Sequence, residues 1–181
     1  MRTLLLLLLA ATLQAEVRET TRVCFRKPSI DLFVLAQVKL MSARIFDQAA
    51  VDIQWSLSMR ECPSQAIQVD IRENAPRKLA PGVMASARPF EGRSIEIFLD
   101  RVTEAYPGLD IRRKLAFVLA HEIMHLLQGM DTHAREGIMK ARWDEGDYHG
   151  MYSGSLRFMP GDLSLMRDSF RRRRLAAETR N

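Results

Sequence analysis

The segment HEIMH contains the residues of this chain whose types and spacing are best suited to chemistry. His121 and His125 are four residues apart, and Glu122 directly follows the first of them. Because residues four apart lie on one face of a helix, both imidazoles point the same way, one turn apart. Two ring nitrogens in that relation can bind one tetrahedral zinc ion. A glutamate beside the first ligand can take a proton from the attacking water, so the segment predicts metal-dependent hydrolysis of peptide bonds.

A third metal ligand is expected after this helix, because a catalytic zinc ion takes three protein ligands and leaves a fourth position for water. His133 follows Gly129 by four residues, which is close enough for the chain to fold back under the metal. Asp131 is the nearest alternative, and Glu145 and His149 lie further along the chain.

A buried helix whose histidines hold no metal is the competing interpretation. The apolar runs LAFVLA and LL flank the motif and predict that the helix is buried. Unpaired polar rings are costly in such surroundings. Three of the four histidines of the chain fall within thirteen residues, which favours a metal site.

The segment from His121 to His133 resembles the signature HExxHxxGxxH of the metzincin clan of zinc metalloproteases, and in particular small secreted bacterial proteins with such a core. His121, Glu122 and His125 match the signature directly. Gly129 is similar to the glycine that ends the active-site helix, and His133 is similar to the third ligand. The resemblance implies that Zn2+ is the cofactor, that the three histidines bind it, and that Glu122 is the catalytic base.

The resemblance continues beyond the motif. The tripeptide GIM at 137–139 is similar to the methionine turn beneath the metal, with Met139 as its methionine. Tyr148 and Tyr152 follow this turn. In some metzincins a tyrosine there helps to stabilise the developing oxyanion; a loop aromatic that packs over the site is the alternative. Trp143 is predicted to belong to the core.

The spacing also departs from the signature. The glycine comes one residue later than in the clan, and the third histidine comes two residues later. Asp131 stands where the third ligand normally falls, and some members have an aspartate there. We favour His133, because imidazole is the better zinc ligand and the longer loop can absorb the extra residues. Met139 follows the last histidine unusually closely.

A second class of zinc protease takes its third ligand from a later helix. Glu145 lies twenty residues after His125, a spacing typical of thermolysin-like enzymes. That interpretation requires a helix at Glu145, but WDEGDYHG contains two glycines and no helical periodicity. We therefore predict a loop from Gly129 to about residue 159.

The pattern of apolar residues predicts the elements that position the site. Apolar residues at spacings of three and four predict helices, and alternating ones predict strands. Asp110 can cap the start of the active-site helix, and Gly129 can end it. The predicted helices are 30–50, 110–128 and 161–178, and the predicted strands are 51–58, 66–73, 81–90 and 93–102.

This order of elements predicts an α+β fold with one central, twisted sheet of mixed direction. A long N-terminal helix, the active-site helix and a C-terminal helix complete it, an arrangement similar to that of the zincins and metzincins. The resemblance implies that strand 93–102 is the edge of the sheet along which an extended peptide pairs.

Residues 1–15 are predicted to be a signal peptide cleaved after Ala15, and residues 16–181 a single metzincin-like catalytic domain. The segment has one arginine, an apolar run and then alanines; the run is shorter than the roughly 20 residues that span a bilayer. A retained membrane anchor is the alternative. Export to the periplasm or the medium would let Cys24 and Cys62 form a disulfide bond, with two buried thiols as the alternative.

The sequence therefore predicts a secreted zinc endopeptidase that acts as a monomer on peptides or proteins. It predicts no nucleic-acid partner and no stable membrane association after the signal is cleaved. A metal-binding protein of the same fold without catalysis is one alternative, although the intact Glu122 argues against it. A basic anion-binding module is another, suggested by the run Arg171–Arg174. A solvated helix end explains that run better, because cations are favoured at the C-terminus of a helix.

Overall fold

The computed structural model describes residues 18–26, 28–57, 60, 62–90 and 93–179, and the predicted signal peptide lies outside them. Within this part of the chain one five-stranded sheet packs against helices, so the predicted α+β class is confirmed. The strands are β1 (Glu19–Phe25), β2 (Val51–Ser56), β3 (Ile67–Arg72), β4 (Ala85–Ala87) and β5 (Ser94–Phe98). The helices are α1 (Leu32–Asp47), α2 (Leu99–Glu104), α3 (Ile111–Gln128), α4 (Glu145–Ser153) and α5 (Pro160–Glu178).

The sheet has the strand order β2-β1-β3-β5-β4, and its neighbours are parallel except for β4 and β5. The predicted mixed direction is therefore confirmed. Strand β1 was not predicted, although it pairs on both sides. Its residues Val23, Cys24 and Phe25 are all buried. An interior parallel strand is covered on both faces and so lacks the alternation that marks a half-buried strand.

The prediction that residues 93–102 form the edge strand is wrong. Strand β5 ends at Phe98 and lies between β3 and β4, so the short β4 is the edge on this side. Leu99–Glu104 form α2 instead of continuing the strand. The Asp100 carboxylate accepts the backbone N–H of Ala75 at 3.1 Å, which anchors the start of this helix to the loop after β3.

Helix α3 runs through the middle of the protein and carries the first two histidines. The Asp110 side chain accepts the backbone N–H of Arg112 at its start, and Gly129 ends it with a φ of 70°, as predicted. Every residue from Lys114 to Gln128 is buried, because α1, α5, β4 and β5 all contact the helix. The site therefore stands on the best-packed element of the fold.

The predicted loop 129–159 is interrupted by α4, so that prediction is wrong over Glu145–Ser153. The side chains of Asp144 and Asp147 each accept the backbone N–H of the other, which forms a capping box at the start of this helix. Met151 is fully buried. Capping and burial stabilise a helix whose sequence alone lacks helical periodicity.

The predicted disulfide bond between Cys24 and Cys62 is present and joins β1 to the loop before β3. Such a bond is stable in an oxidising compartment. In the described part of the chain, no helix is both long enough and apolar enough to cross a membrane.

Candidate metal centre

Three imidazole rings converge where the C-terminal half of α3 meets the loop that follows it. The ring centroids of His121 and His125 are 4.7 Å apart. The ring of His133 lies 5.3 Å from the first and 4.8 Å from the second. One possible ligand atom from each residue lies within 4.8 Å of the others. The structure therefore brings together the three residues that the sequence predicted as ligands.

The alternative ligands do not join this cluster. Among the described residues, the group of possible metal ligands here consists of the three histidines alone. Asp131 is exposed in the same loop, and Glu145 and His149 are exposed on α4. A helix is thus present where the thermolysin-like interpretation required one, but its glutamate lies outside the cluster.

Backbone carbonyls orient the two helical rings. Nδ1 of His121 donates to the carbonyl oxygen of Ile138 at 2.8 Å, and Nδ1 of His125 donates to that of Met130 at 2.9 Å. A carbonyl oxygen only accepts, so the proton of each ring must be on Nδ1. Both rings therefore present the lone pair of Nε2, the arrangement that fixes the tautomer of metal-binding histidines.

The two Nε2 atoms lie 3.0 Å apart, and neither has a proton to donate to the other. Protonation does not relieve this repulsion easily, because burial, together with the neighbouring histidines, lowers the pKa of His121 to about 3 and that of His125 to about 4. A metal cation that accepts both lone pairs does relieve it. Imidazole nitrogens are ligands of zinc and other transition metals, so the residues present fit a bound metal.

The loop after α3 folds back beneath the cluster. The backbone N–H of Ala134 donates to Met139 at 2.8 Å, and the N–H of Ile138 donates to Arg157 at 2.9 Å. Gly137 has a φ of 77°, and a Cβ there would meet the Arg157 carbonyl oxygen at 2.6 Å. Met139 is buried, and the methionine-turn role that the resemblance implies for it stays a prediction. The turn thus delivers the carbonyl that orients the first histidine.

Glu122 lies beside the cluster and is buried. Burial raises the pKa of its carboxyl to about 8, and a hydrogen bond from the backbone N–H of Ala87 opposes part of that rise. A carboxylate whose pKa lies close to neutrality can both take up and release a proton at physiological pH. The predicted general base therefore has suitable surroundings for that role.

A cavity of about 230 Å³ opens onto His121, Glu122 and His133. The segment 80–85 forms one wall and residues 140–143 form the other. Its lining combines apolar residues with a few polar or charged side chains, among them Lys140 and Arg142, as is usual for small binding sites.

Trp143 packs against the hydrophobic core, as the sequence predicted, and it also lines this site. Its ring lies 5.7 Å from that of His121, and its Nε1 donates to Ile138 at 3.2 Å. One carbonyl oxygen therefore holds both the indole and a histidine of the cluster. No signal in the sequence distinguishes such a tryptophan from one buried in the core.

The edge strand β4 turns the backbone groups of alternate residues away from the sheet, beside Glu122. The N–H of Phe98 donates to Met84 at 2.9 Å, and in an antiparallel pair alternate residues face the partner strand. Ala85 and Ala87 therefore turn their backbone groups away from β5. The N–H of Ala87 reaches Glu122, and Ala85 lines the cavity.

Neither tyrosine candidate lines the cavity. The ring of Tyr148 is buried and stacks on Tyr106 at a centroid distance of 4.7 Å. It also meets Trp143 edge-on at 6.3 Å, so it supports the wall of the site from behind. Tyr152 is exposed beneath the guanidinium of Arg113. Packing therefore accounts for the ring of Tyr148, whereas the ring of Tyr152 lies at the surface.

Comparison with known proteins gives a likeness in fold only. No family model and no curated protein matches the sequence. Among solved structures, the chain is similar to archaemetzincin from Methanopyrus kandleri, with a TM-score of 0.56 and 15% sequence identity. The alignment covers 85% of this chain and 96% of that one. The fold of the protein is thus similar to that of archaemetzincin, a metallopeptidase fold, and the predicted fold class is confirmed.

Proposed function

We propose that the protein is a secreted, zinc-dependent endopeptidase. In this proposal His121, His125 and His133 bind the zinc ion, and Glu122 is the general base. The observation that carries the proposal is the convergence of three imidazoles, two with lone pairs 3.0 Å apart, beside a buried glutamate. The likeness in fold to archaemetzincin supports it.

Zinc, when bound, supplies a Lewis acid that makes water more acidic and polarises a carbonyl group. The chain's own groups orient the ligands and transfer the proton. The carbonyls of Ile138 and Met130 hold the histidine rings in place. Glu122 accepts a proton from the attacking water and passes it to the leaving amine.

The substrate in this proposal is an extended peptide that adds a strand to the free edge of β4. The outward-facing backbone of Ala85 supplies hydrogen bonds, and Val83, Met84 and Trp143 supply apolar contacts for its side chains. Pairing through backbone groups can continue on both sides of the bond that is cleaved. This mode of binding therefore suits internal bonds of a chain.

Secretion rests on the predicted signal peptide and on the disulfide bond, which an oxidising compartment would preserve. Action as a monomer on protein or peptide substrates, without nucleic acid or a stable membrane partner, remains part of the same proposal.

The experiment that tests it combines metal analysis with digestion of a peptide library. The purified protein is expected to contain zinc in equimolar amount and to cleave internal bonds, and a chelator should abolish the cleavage. Glu122→Gln keeps the size and the hydrogen-bonding capacity of the side chain but removes the base. It should retain zinc and lose cleavage by about a thousandfold or more. Cleavage by this variant at the wild-type rate, or a wild-type protein without bound metal, would refute the proposal.

A further inference from the structure

A second cavity, of about 430 Å³, lies between the loop after β4, the C-terminal end of α3 and the helix α5. Three arginines line it: Arg93, Arg172 and Arg173. None of the described residues that line it is acidic. The cavity therefore concentrates positive charge at a place away from the three histidines.

Arg173 is held in a fixed position by α3. Its Nη2 donates to the carbonyl oxygens of Leu126 and Leu127 at 2.9 and 2.6 Å, and to Ser169 Oγ at 2.9 Å. The first two groups are unpaired carbonyls at the end of a helix, which a cation stabilises. Arg173 thus has a structural partner, and it forms a rigid wall of the cavity.

Among the described residues, the other two arginines have no such partner. The Nε of Arg93 is buried and makes no hydrogen bond, and burial lowers the pKa of this side chain. Burial lowers the pKa of Arg173, and the charges of Arg93 and Arg172 contribute to this decrease, so both arginines repel Arg173. Within the described part of the chain, no carboxylate forms an ion pair with Arg93 or Arg172. A buried donor without a partner and uncompensated like charges both cost free energy that a bound anion would offset.

We propose that this cavity binds a tetrahedral oxyanion, either inorganic phosphate or the phosphate group of a monoester. Guanidinium groups present N–H donors in a planar fork that matches the oxygens of phosphate. In this site Arg93 and Arg172 bind the anion, and Arg173 holds the wall against which it lies. The anion needs no metal, so the proposal does not depend on the proposed protease activity.

The test is calorimetric titration of the protein with inorganic phosphate at about 0.15 M salt, where weak surface attraction is largely screened. Arg93→Gln and Arg172→Ala should each weaken binding by about tenfold or more, because each removes a charged hydrogen-bond donor. Arg171→Ala is the matched control. It removes the same charge from the neighbouring position of α5, but its side chain is 70% exposed, pairs with Asp168 and does not line this cavity. It should change affinity by less than about twofold.

Two results would overturn the proposal. One is the absence of measurable phosphate binding to the wild type. The other is an equal response to Arg171→Ala and Arg172→Ala, which would indicate diffuse attraction to the arginine-rich helix. Phosphate held at the metal centre would be unaffected by Arg93→Gln or Arg172→Ala, and that outcome also counts against the site. If Arg93→Gln does not fold, the affinity of Arg172→Ala for phosphate still tests the proposal, because this residue is at an exposed position.

A parallel titration with O-phosphoserine distinguishes the two sources of the anion. Tighter binding of phosphoserine than of phosphate would identify a phosphate monoester as the ligand. Tighter binding of phosphate would identify the free ion.

Discussion

The Nε2 atoms of His121 and His125 lie 3.0 Å apart and face each other as two lone pairs. This relationship is imposed from outside the helix. The carbonyl oxygens of Ile138 and Met130 take the Nδ1 protons, and both belong to the segment after α3. Helical spacing brings the rings together, but the following loops decide which nitrogen each ring offers. Changes in those loops should therefore affect metal binding even at residues that are not ligands.

The identity of the third ligand gives the first prediction. His133→Ala is expected to weaken zinc binding by at least about a hundredfold, since the loss of an outer hydrogen-bond partner alone costs about 10- to 100-fold. Asp131→Ala, two residues earlier, should change it by no more than about twofold, as expected for an exposed charge. Competition with a chromogenic chelator measures both affinities. A larger loss in the aspartate variant would transfer the ligand role to Asp131.

The pH dependence of stability in the metal-free protein gives the second prediction. Glu122 has a pKa of about 8 in the folded state against an ordinary value of 4.5. Between these values the folded protein keeps a proton that the unfolded chain has lost, so stability falls as pH rises. His121 behaves in the opposite way. Its pKa falls from 6.5 to about 3, so the unfolded chain binds the extra proton and stability falls as pH drops below 6.5.

Above pH 6.5 the raised pKa of Glu122 therefore changes the stability of the protein, whereas the lowered pKa values of the histidines no longer do. Urea unfolding after metal removal should show lower stability at pH 8 than at pH 6.5. Glu122→Gln has no carboxyl to titrate, and its stability should change less over the same interval. Equal slopes for the two proteins would mean that the folded state does not hold this carboxyl in its neutral form.

The turn beneath the cluster gives the third prediction. Gly137→Ala combines a φ of 77° with a Cβ that would meet Arg157 at 2.6 Å. Gly154→Ala has a similar φ of 73° but no atom within 4 Å of the added Cβ. The free energy of unfolding of the control, Gly154→Ala, should fall by about 1 kcal/mol, which is the cost of the left-handed backbone conformation for alanine. Gly137→Ala should lower the free energy of unfolding by more than this. It should also weaken zinc binding, because the next residue, Ile138, supplies the carbonyl oxygen that orients His121. Thermal unfolding with and without zinc measures both effects, and equal losses would contradict the packing argument.

Local signals in the sequence were sufficient to predict the bounds of an element where its own residues determine them. Helix α3 begins at the cap Asp110 and ends at Gly129, as predicted. Strand β1 was missed because its burial depends on neighbours on both faces. Helix α4 was missed because a capping box and tertiary packing, rather than helical periodicity, stabilise it. The error at β1 arises from contacts between residues distant in the sequence, whereas the error at α4 arises from such contacts together with a local capping box.

The site also has parts that the sequence predicts and parts that it does not. The motif around His121 was readable because helical spacing alone fixes the relation of its side chains. The roles of Trp143 and of the Ile138 carbonyl depend on the path of a loop, and the residue types in the sequence do not predict that path. The edge was assigned to residues 93–102 by the resemblance, whereas the actual edge is the three-residue strand β4 within the predicted strand 81–90.

The exposed edge of β4 gives the last prediction, which rests on the proposed peptide binding. The N–H of Ala85 points away from β5, so Ala85→Pro removes a donor that the sheet does not use. We expect a loss of about tenfold in kcat/KM for an extended peptide, with zinc content unchanged. Ser86→Pro is the matched control, since its N–H faces β5 and its loss should destabilise the fold. Kinetics on an internally quenched peptide and thermal unfolding together separate the two effects. Full activity of Ala85→Pro would place the substrate elsewhere.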